Sequence, residues 1–282
     1  MPELPEVETV RTGLERHILG RRVDRVELRR ADLRFPFPEG MVERLEGRRF
    51  EAVERRAKYL MIRLEGDVVW LVHLGMTGRF KLSPSEPGPP EKHDHVLLWL
   101  DDGGHVAFND PRRFGFMDLA DADALSKHAS LASLGPEPLS DEFHAQALAD
   151  ATRGKRTPLK SALLDQRVVA GLGNIYVCEI LFRAGLSPRR LASSLARADG
   201  SPSPRAERVV SETRQVLEEA IAAGGSTLRD FAGVEGELGY FPHSFRVYDR
   251  EGEPCPNAGC GRPIQRIVQS GRSTFFCSSC QR

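Results

Sequence analysis

The first residues of the chain, Met1-Pro2-Glu3, could build a reaction centre from the chain's own terminus. If Met1 is removed, Pro2 carries a free secondary amine beside the Glu3 carboxylate. An α-amino group has a pKa of about 8 and lysine about 10.4, so roughly a tenth of the former is free base at pH 7. Such amines attack aldehydic carbon and form Schiff bases, which act as electron sinks for elimination. The alternative is that Pro2 only ensures removal of Met1 and starts a helix.

A helix directly after these residues would hold the amine in place. Its apolar positions recur three to four residues apart, at Val7, Val10, Leu14 and Ile18. The positive end of the helix dipole should lower the pKa of the Pro2 amine, because it disfavours the protonated form. The terminus is therefore predicted to be anchored to a core.

Four cysteines near the end of the chain have metal-ligand spacing. Cys255 and Cys260 are separated by four residues, and Cys277 and Cys280 by two, with sixteen residues between the pairs. Two thiolate pairs can hold one tetrahedral Zn²⁺, and four thiolates leave no open position, so the ion would be structural. Strand-like runs at 264–268 and 273–276 predict a hairpin that carries Arg272 at its tip. Two disulfides are the alternative.

Two groups of residues could contact phosphate. Gly171-Leu172-Gly173-Asn174 opens a predicted helix, where free backbone N–H groups bind anions, and Lys155, Arg156 and Lys160 lie just upstream. The alternative is an ordinary helix start with Asn174 as its cap.

Two further stretches could act on a base stack. On an extended segment Arg112 and Phe114 would point the same way, and Met76 could supply another wedge. The alternative places Phe114 and Met76 in the core.

Lys58 is a cation within a predicted strand. For His93 and its neighbour His95 we expect hydrogen-bonding or phosphate-contacting roles rather than a metal pair, since no further ligands are evident nearby.

Short alternating runs predict an antiparallel sandwich or barrel in the first half of the chain. They fall at 21–30, 50–64, 68–74, 95–100 and 105–108, and a surface loop is predicted at 83–92. Residues 121–134 and 140–151 have helical patterns, and three more helices are predicted between 157 and 222.

Composition indicates an ordinary globular protein, with 40% hydrophobic and 28% charged residues. No apolar run is long enough to span a membrane and no signal peptide is evident, so an intracellular protein is expected. The formal net charge is zero, but residues 1–150 carry −6 and residues 151–282 carry +6. The basic half is the better place for phosphate contacts.

Taken together, these stretches resemble the formamidopyrimidine-DNA glycosylase and endonuclease VIII family of base-excision repair enzymes. The opening Pro2–Thr9 resembles the formamidopyrimidine-DNA glycosylase branch, because the other branch typically has glycine in place of Leu4. Matching motifs follow in the family's order along nearly the whole chain, at 55–60, 73–78, 92–95, 110–115, 171–176, 225–231 and the final cysteines.

The resemblance implies an α+β, multi-domain fold. An N-terminal catalytic β-sandwich with flanking helices would span residues 1–135, a helix-two-turns-helix DNA-binding domain 136–240, and a zinc finger 241–282. It also implies a bifunctional DNA glycosylase and AP lyase that excises oxidised purines, chiefly 8-oxoguanine and formamidopyrimidines, and cleaves the strand by β,δ-elimination. The expected partner is duplex DNA with oxidised bases or abasic sites, and the expected enzyme is a bacterial, cytoplasmic, nucleoid-associated monomer with one structural zinc.

The family's residue roles carry over by motif. Pro2 would attack C1′, Glu3 would act as acid and base, and Lys58 would assist proton transfer. The segment at about 224–240 would close over the lesion. Arg272 is assigned to the second elimination, where a phosphate clamp is easier to defend than proton donation, because free arginine stays protonated. Met76, Arg112 and Phe114 would fill the gap left by the flipped base; DNA contacts are expected from His93, Arg112, Arg156, Lys160, Asn174 and Arg272.

Three features depart from the family's usual pattern. The first cysteine pair has four intervening residues rather than two, Cys178 stands where an acidic or small polar residue is common, and the neutral total charge predicts weaker non-specific DNA binding. Two other functions stay open on the sequence: an endonuclease VIII-like glycosylase for oxidised pyrimidines, and a non-catalytic zinc-dependent DNA-binding protein.

Overall fold

A computed structural model describes residues 1–85, 88–226 and 244–282. The described chain divides into two compact units, one comprising Met1–Ala132 with 223–226 and the other Ser133–Ala222 with 244–282. The finer division at residues 135 and 240 stays a prediction. Most of the segment expected to close over a lesion, 227–240, lies outside the described residues.

Helix α1 (Leu4–Ile18) begins directly after Glu3, which is its N-cap. Glu3 and Glu6 form a reciprocal capping box, in which the Glu3 backbone N–H donates to the Glu6 carboxylate at 2.8 Å. All four predicted apolar positions are at most 1% exposed. The terminus is therefore anchored, as the pattern predicts.

Two four-stranded antiparallel sheets form the first unit, which confirms the predicted sandwich. One has the order β1 (Val23–Leu28), β6 (Asp94–Leu100), β7 (His105–Asn109), β5 (Arg79–Ser83). The other has the order β2 (Phe50–Arg56), β3 (Tyr59–Leu64), β4 (Val68–His73), β8 (Phe116–Asp121). The predicted run at 50–64 is a hairpin of two strands, and the sequence patterns missed β5 and β8.

The core of this unit is made by α1, both sheets and the short helix α2 (Met41–Leu45). Trp70 of β4, Phe80 of β5 and Phe108 of β7 are at most 1% exposed and pack edge to face at 5.2–6.0 Å. The same core therefore supports the head of α1 and the strand ends that carry the candidate site loops.

The second unit contains helices α3 (Ala145–Thr152), α4 (Leu159–Leu164), α5 (Asn174–Arg183) and α6 (Pro204–Ala222). It also contains the hairpin of β9 (Gln265–Gln269) and β10 (Arg272–Phe276), as predicted. The expected helix at 121–134 was wrong in extent: a 3-10 turn covers only Ala122–Lys127, because β8 continues to Asp121. Within the described ranges, no helix has the length and apolarity needed to cross a membrane.

Candidate active site and nucleic-acid interface

The chain terminus lies at the positive end of α1, where Pro2 is buried and Glu3 is 3% exposed. The Glu6 carboxylate links this terminus to a distant stretch of the same unit. One of its oxygens accepts from the Glu3 N–H, and the other accepts from the Ser226 N–H at 2.7 Å and the Ser226 hydroxyl at 2.8 Å. Gly225 has a φ of +79° and lies close against Glu6. The position of Glu3 is thus fixed by a carboxylate held from both sides.

Lys58 lies in the tight turn between β2 and β3, not inside a strand as predicted. Ala57 before it has a φ of +53°, which reverses the chain at this point. Lys58 is only 7% exposed, so its ammonium is largely withdrawn from water.

His73 lies in the electrostatic field of Lys58 and is neutral. Burial lowers the pKa of His73 to about 4, and the positive charges of Lys58 and Arg34 act in the same direction. Its Nδ1 accepts the Gly75 N–H at 3.0 Å, and its ring stacks on Phe116 with 5.8 Å between centroids. The neutral ring therefore holds the start of the loop that carries Met76.

Arg112 and Phe114 lie side by side, but not because the segment is extended. Arg113 between them has a φ of +56°, so residues 110–115 form a turn. The Arg112 guanidinium carbon is 4.8 Å from the centre of the Phe114 ring, and the ring is 43% exposed. Met76 is partly exposed in the neighbouring loop. The core alternative is therefore wrong for Phe114.

His93 lies just before β6, with its ring 6.2 Å from that of His95. His95 is 5% exposed, and its Nε2 hydrogen-bonds the Asp110 carbonyl oxygen at 2.9 Å. Burial lowers the pKa of His95, which favours the neutral ring. His95 therefore has the hydrogen-bonding role that the sequence predicts, while His93 is partly exposed.

In the second unit, Asn174 is the first residue of α5, and Gly173 is the N-cap. The suggested cap role of Asn174 is therefore wrong. Its side-chain Nδ2 instead donates to the Ser273 carbonyl oxygen at 3.0 Å, in the hairpin of β9 and β10. Its Oδ1 is buried and has no hydrogen-bond partner.

Lys160 differs from the expectation for a surface phosphate contact. It is 0% exposed, and its Nζ donates to the same Ser273 carbonyl at 2.9 Å and to the Thr274 hydroxyl at 2.6 Å. An ammonium bonded in this way is directed into the protein. Arg156 and Arg272, in contrast, are exposed, and Arg272 directly follows a turn with positive φ at Ser270 and Gly271.

The four cysteines of the predicted zinc finger come together. Their Sγ atoms all lie within 4.8 Å of one another, with Cys255 3.8 Å from Cys280 and Cys260 3.7 Å from Cys277. Zn–S bonds of about 2.3 Å in a tetrahedron place sulfurs about 3.8 Å apart, whereas a disulfide bond is about 2.05 Å. The residues fit one structural zinc. The four residues between Cys255 and Cys260, where the family usually has two, do not prevent this arrangement.

Comparison with known proteins agrees with both units. Family models match residues 1–117 (formamidopyrimidine-DNA glycosylase N-terminal domain), 134–232 (its H2TH domain) and 252–282 (zinc finger found in FPG and IleRS). The formamidopyrimidine-DNA glycosylase of Azorhizobium caulinodans is 59% identical over all of both chains, and that of Beijerinckia indica is 57% identical. The chain belongs to the formamidopyrimidine-DNA glycosylase family.

Solved structures agree with this membership. The crystal structure of the MutM (FPG) protein from Thermus thermophilus matches with a TM-score of 0.86 and 42% identity, covering 99% of this chain and 98% of that one. The Lactococcus lactis Fpg in complex with DNA containing N7-benzyl-Fapy-dG matches with a TM-score of 0.89 and 33% identity over all of both chains. The predicted family and fold are therefore confirmed, including the branch that Leu4 indicated.

Sequence reasoning missed several residues that the structure places around this family's site motifs. Glu6 contributes to the reciprocal capping box, a pattern that the Glu3-x-x-Glu6 spacing could have revealed. Arg34 and Lys58 both act electrostatically on His73, but no local pattern marks this grouping. Phe35 is 55% exposed and packs edge to face on Phe116 at 5.8 Å.

His73 makes the folded protein sensitive to acid. The folded state holds its pKa at about 4, below the ordinary 6.5, so the unfolded state binds a proton more readily between these values. Stability is fully present above pH 6.5 and is lost as pH falls toward 4, by about 2 kcal/mol from this group after allowing for its partial exposure. His73→Phe keeps the ring and removes the titration, so its thermal midpoint should fall less between pH 7 and 4.5 than that of the wild type. An equal fall in both proteins would contradict this assignment.

Glu179 of α5 is a second buried anchor that the sequence did not reveal. It is 0% exposed and accepts three backbone N–H groups, from Arg246 at 2.9 Å, Val247 at 3.0 Å and Tyr248 at 2.8 Å. Glu179→Ala leaves these donors unsatisfied and is expected to cost about 4 kcal/mol of stability, measured by urea unfolding. Glu179→Gln keeps one acceptor oxygen, so its free energy of unfolding should fall clearly less. A loss below about 1 kcal/mol in the alanine variant would contradict the anchoring role of Glu179.

Proposed function

We propose that the chain is a bifunctional DNA glycosylase and AP lyase that removes oxidised purines from duplex DNA. The observation that carries the proposal is the buried Pro2-Glu3 terminus at the positive end of α1, in a chain of this family. Solved relatives hold DNA with Fapy-dG, carbocyclic 8-oxo-G or an abasic site, which supports the same substrates here. A monomeric, cytoplasmic enzyme, bound to the nucleoid through DNA, is part of the proposal.

The first chemical step follows from the amine. The Pro2 nitrogen attacks C1′ of the damaged nucleotide and gives up its proton, while the bond from C1′ to the base breaks and its electron pair leaves with the base, which takes up a proton. The ring oxygen O4′ then takes up a proton as the C1′–O4′ bond breaks, and the nitrogen lone pair forms the double bond to C1′. Because proline is a secondary amine, its adduct is an iminium ion that needs no further proton to act as an electron sink. Glu3 supplies and accepts protons at the sugar.

The elimination steps use the same iminium ion. Loss of a C2′ proton breaks the C3′–oxygen bond and releases one phosphate, and a second proton loss releases the other at C5′. Lys58 assists proton transfer through its ammonium, which is largely withdrawn from water in the turn before β3. Arg272 keeps its charge and clamps the departing phosphate by paired N–H donors. The zinc ion supplies only the rigidity of the hairpin that carries Arg272.

DNA contacts follow from exposure and charge. Met76, Arg112 and Phe114 fill the space left by the flipped nucleotide, and the arginine addresses the opposite cytosine. His93, Arg156 and Asn174 are expected to contact phosphates. Asn174 would do so through an N–H donor, because its unpartnered Oδ1 is itself an acceptor and cannot bond a phosphate oxygen. Lys160 acts through the hairpin, because its Nζ is directed at Ser273 and Thr274.

Borohydride trapping tests the proposal. The protein is incubated with a duplex containing 8-oxoguanine opposite cytosine, and borohydride should reduce the iminium ion to a stable covalent complex. The mass of its N-terminal peptide should place the link on Pro2, in a chain that has lost Met1. A matched chain with an uncleaved N-terminal extension should bind the duplex and give no complex. Absence of trapping with DNA binding intact would reject the Schiff base and favour a non-catalytic DNA-binding protein.

A further inference from the structure

The Asp110 carboxylate lies between the two loops that carry Met76, Arg112 and Phe114. These three residues, proposed to fill the space left by the flipped nucleotide, are called the wedge residues below. It is 0% exposed, and each of its oxygens has a different partner. Oδ1 accepts the Thr77 hydroxyl at 2.5 Å, and Oδ2 accepts the Gly115 N–H at 2.9 Å. The Thr77 oxygen in turn accepts the Arg112 N–H at 3.2 Å. One carboxylate and one hydroxyl thus connect residues 75–78 with residues 110–115.

Each wedge residue is covalently adjacent to this network or belongs to it. Met76 precedes Thr77, Phe114 precedes Gly115, and the Arg112 backbone is itself a donor. A sub-ångström shift of the carboxylate would therefore move the backbone on both sides of the wedge. Rotating the Thr77 side chain away would break its hydrogen bonds with the Asp110 carboxylate and the Arg112 N–H together.

Backbone contact between the loops makes the network sensitive to such shifts. A Cβ built on Gly75 would lie 2.3 Å from the Gly115 nitrogen and 2.3 Å from the Phe114 carbonyl carbon. Gly75 also has a φ of +65°, in the left-handed region that glycine adopts without strain. No side chain separates the loops there, so their register depends on the hydrogen bonds of Thr77 and Asp110.

We propose that Thr77 and Asp110 are positioning residues that set the geometry of Met76, Arg112 and Phe114, and through it the recognition of the base opposite the lesion. This inference rests on the proposed function for its substrate. Neither residue needs to touch DNA, since both are at most 9% exposed. They act by holding two loops at one spacing, so that the guanidinium and ring enter the duplex together.

Thr77→Val tests the proposal, because valine has the same shape and lacks the hydroxyl. Thr77→Ser is the matched control that keeps it. On a duplex with 8-oxoguanine, Thr77→Val should lower kcat/KM opposite cytosine about tenfold and reduce the preference for cytosine over adenine. Cleavage of a single-stranded abasic oligonucleotide has no opposite base and should change less than about twofold. Thr77→Ser should behave as the wild type in both reactions.

Two results would overturn the proposal. One is an unchanged opposite-base preference in Thr77→Val; the other is a parallel loss of single-strand cleavage, which would indicate a general structural role.

Asp110→Asn, with its thermal midpoint measured, provides a second variant that should shift the preference in the same direction. Binding to a duplex with a stable abasic analogue repeats the Thr77 comparison without chemistry. A wild type that binds this duplex but neither excises nor traps would reject the proposed function and leave the binding comparison decisive for the loops.

Discussion

Glu3→Gln is expected to slow release of 8-oxoguanine about a thousandfold while cleavage at a preformed abasic site falls far less. Glutamine cannot donate or accept a proton at the sugar, and a positioned acid or base contributes about 10²–10⁴ in rate. An abasic sugar already exposes an aldehyde, so the Pro2 amine can form the iminium ion there without expelling a base. Single-turnover kinetics on the two duplexes measures both steps.

The substitution leaves the helix start largely intact. Glu3 takes part in the capping box with Glu6, and the glutamine amide oxygen can still accept the helix N–H. The matched control is Glu15→Gln on the same helix, where the side chain is 40% exposed and pairs with Arg11. Equal losses on both duplexes, or a loss in the Glu15 variant, would show that the effect comes from folding and not from proton transfer.

Local pattern was sufficient where one periodicity dominates. Helix α1 and the cysteine hairpin follow the sequence closely, since the apolar spacing of the one and the metal-ligand spacing of the other are set by residues close together in the chain. Strand β8 was missed because Phe116–Asp121 runs into Ala122–Lys127, and small apolar residues there fit a helical period as well as an alternating one. Strand β5 is five residues long and follows Gly78, and a short run next to a glycine is typical of a loop.

The sequence could suggest the candidate site residues, but it could not give the partners that the structure shows for them. Asn174 reaches Ser273, 99 residues away, and Glu6 reaches Ser226, 220 residues away. Nothing local distinguishes a helix-opening asparagine that caps from one that holds a hairpin. The side-by-side placement of Arg112 and Phe114 was predicted from an extended segment, yet it results from a turn at Arg113.

Burial separated residues that the sequence treats alike. Lys160 and Arg156 are both basic residues upstream of the glycine turn, but the first is 0% exposed and the second is exposed. A cation inside the protein needs internal acceptors, and Ser273 and Thr274 of β10 supply them. The charge pattern alone cannot show this, because it depends on tertiary packing.

Removing the zinc ion is expected to unfold the hairpin and abolish specific DNA binding. Structural zinc contributes about 10 kcal/mol or more of apparent binding energy, which is folding energy for the segment that holds it. Without a cation the thiols cannot all ionise: burial raises the pKa of Cys255 to about 12, while a hydrogen bond from the Arg262 backbone lowers the pKa of Cys260 to about 7. Arg272 would then lose its fixed position on β10.

Cys260→Ser tests this with Cys178→Ala as its matched control. Cys178 is 2% exposed and packs in the same cluster as Cys255 and Cys277, but its sulfur lies outside the four-thiol group. Native mass spectrometry should find one zinc ion in the wild type and in Cys178→Ala, and less than one in Cys260→Ser. Hydrogen exchange over 265–276 should accelerate only in Cys260→Ser, with at least a hundredfold weaker binding to an abasic-analogue duplex. Full binding by a zinc-free chain would contradict the role of the ion, because it would show that Lys160 and Asn174 hold the hairpin at Ser273 without it.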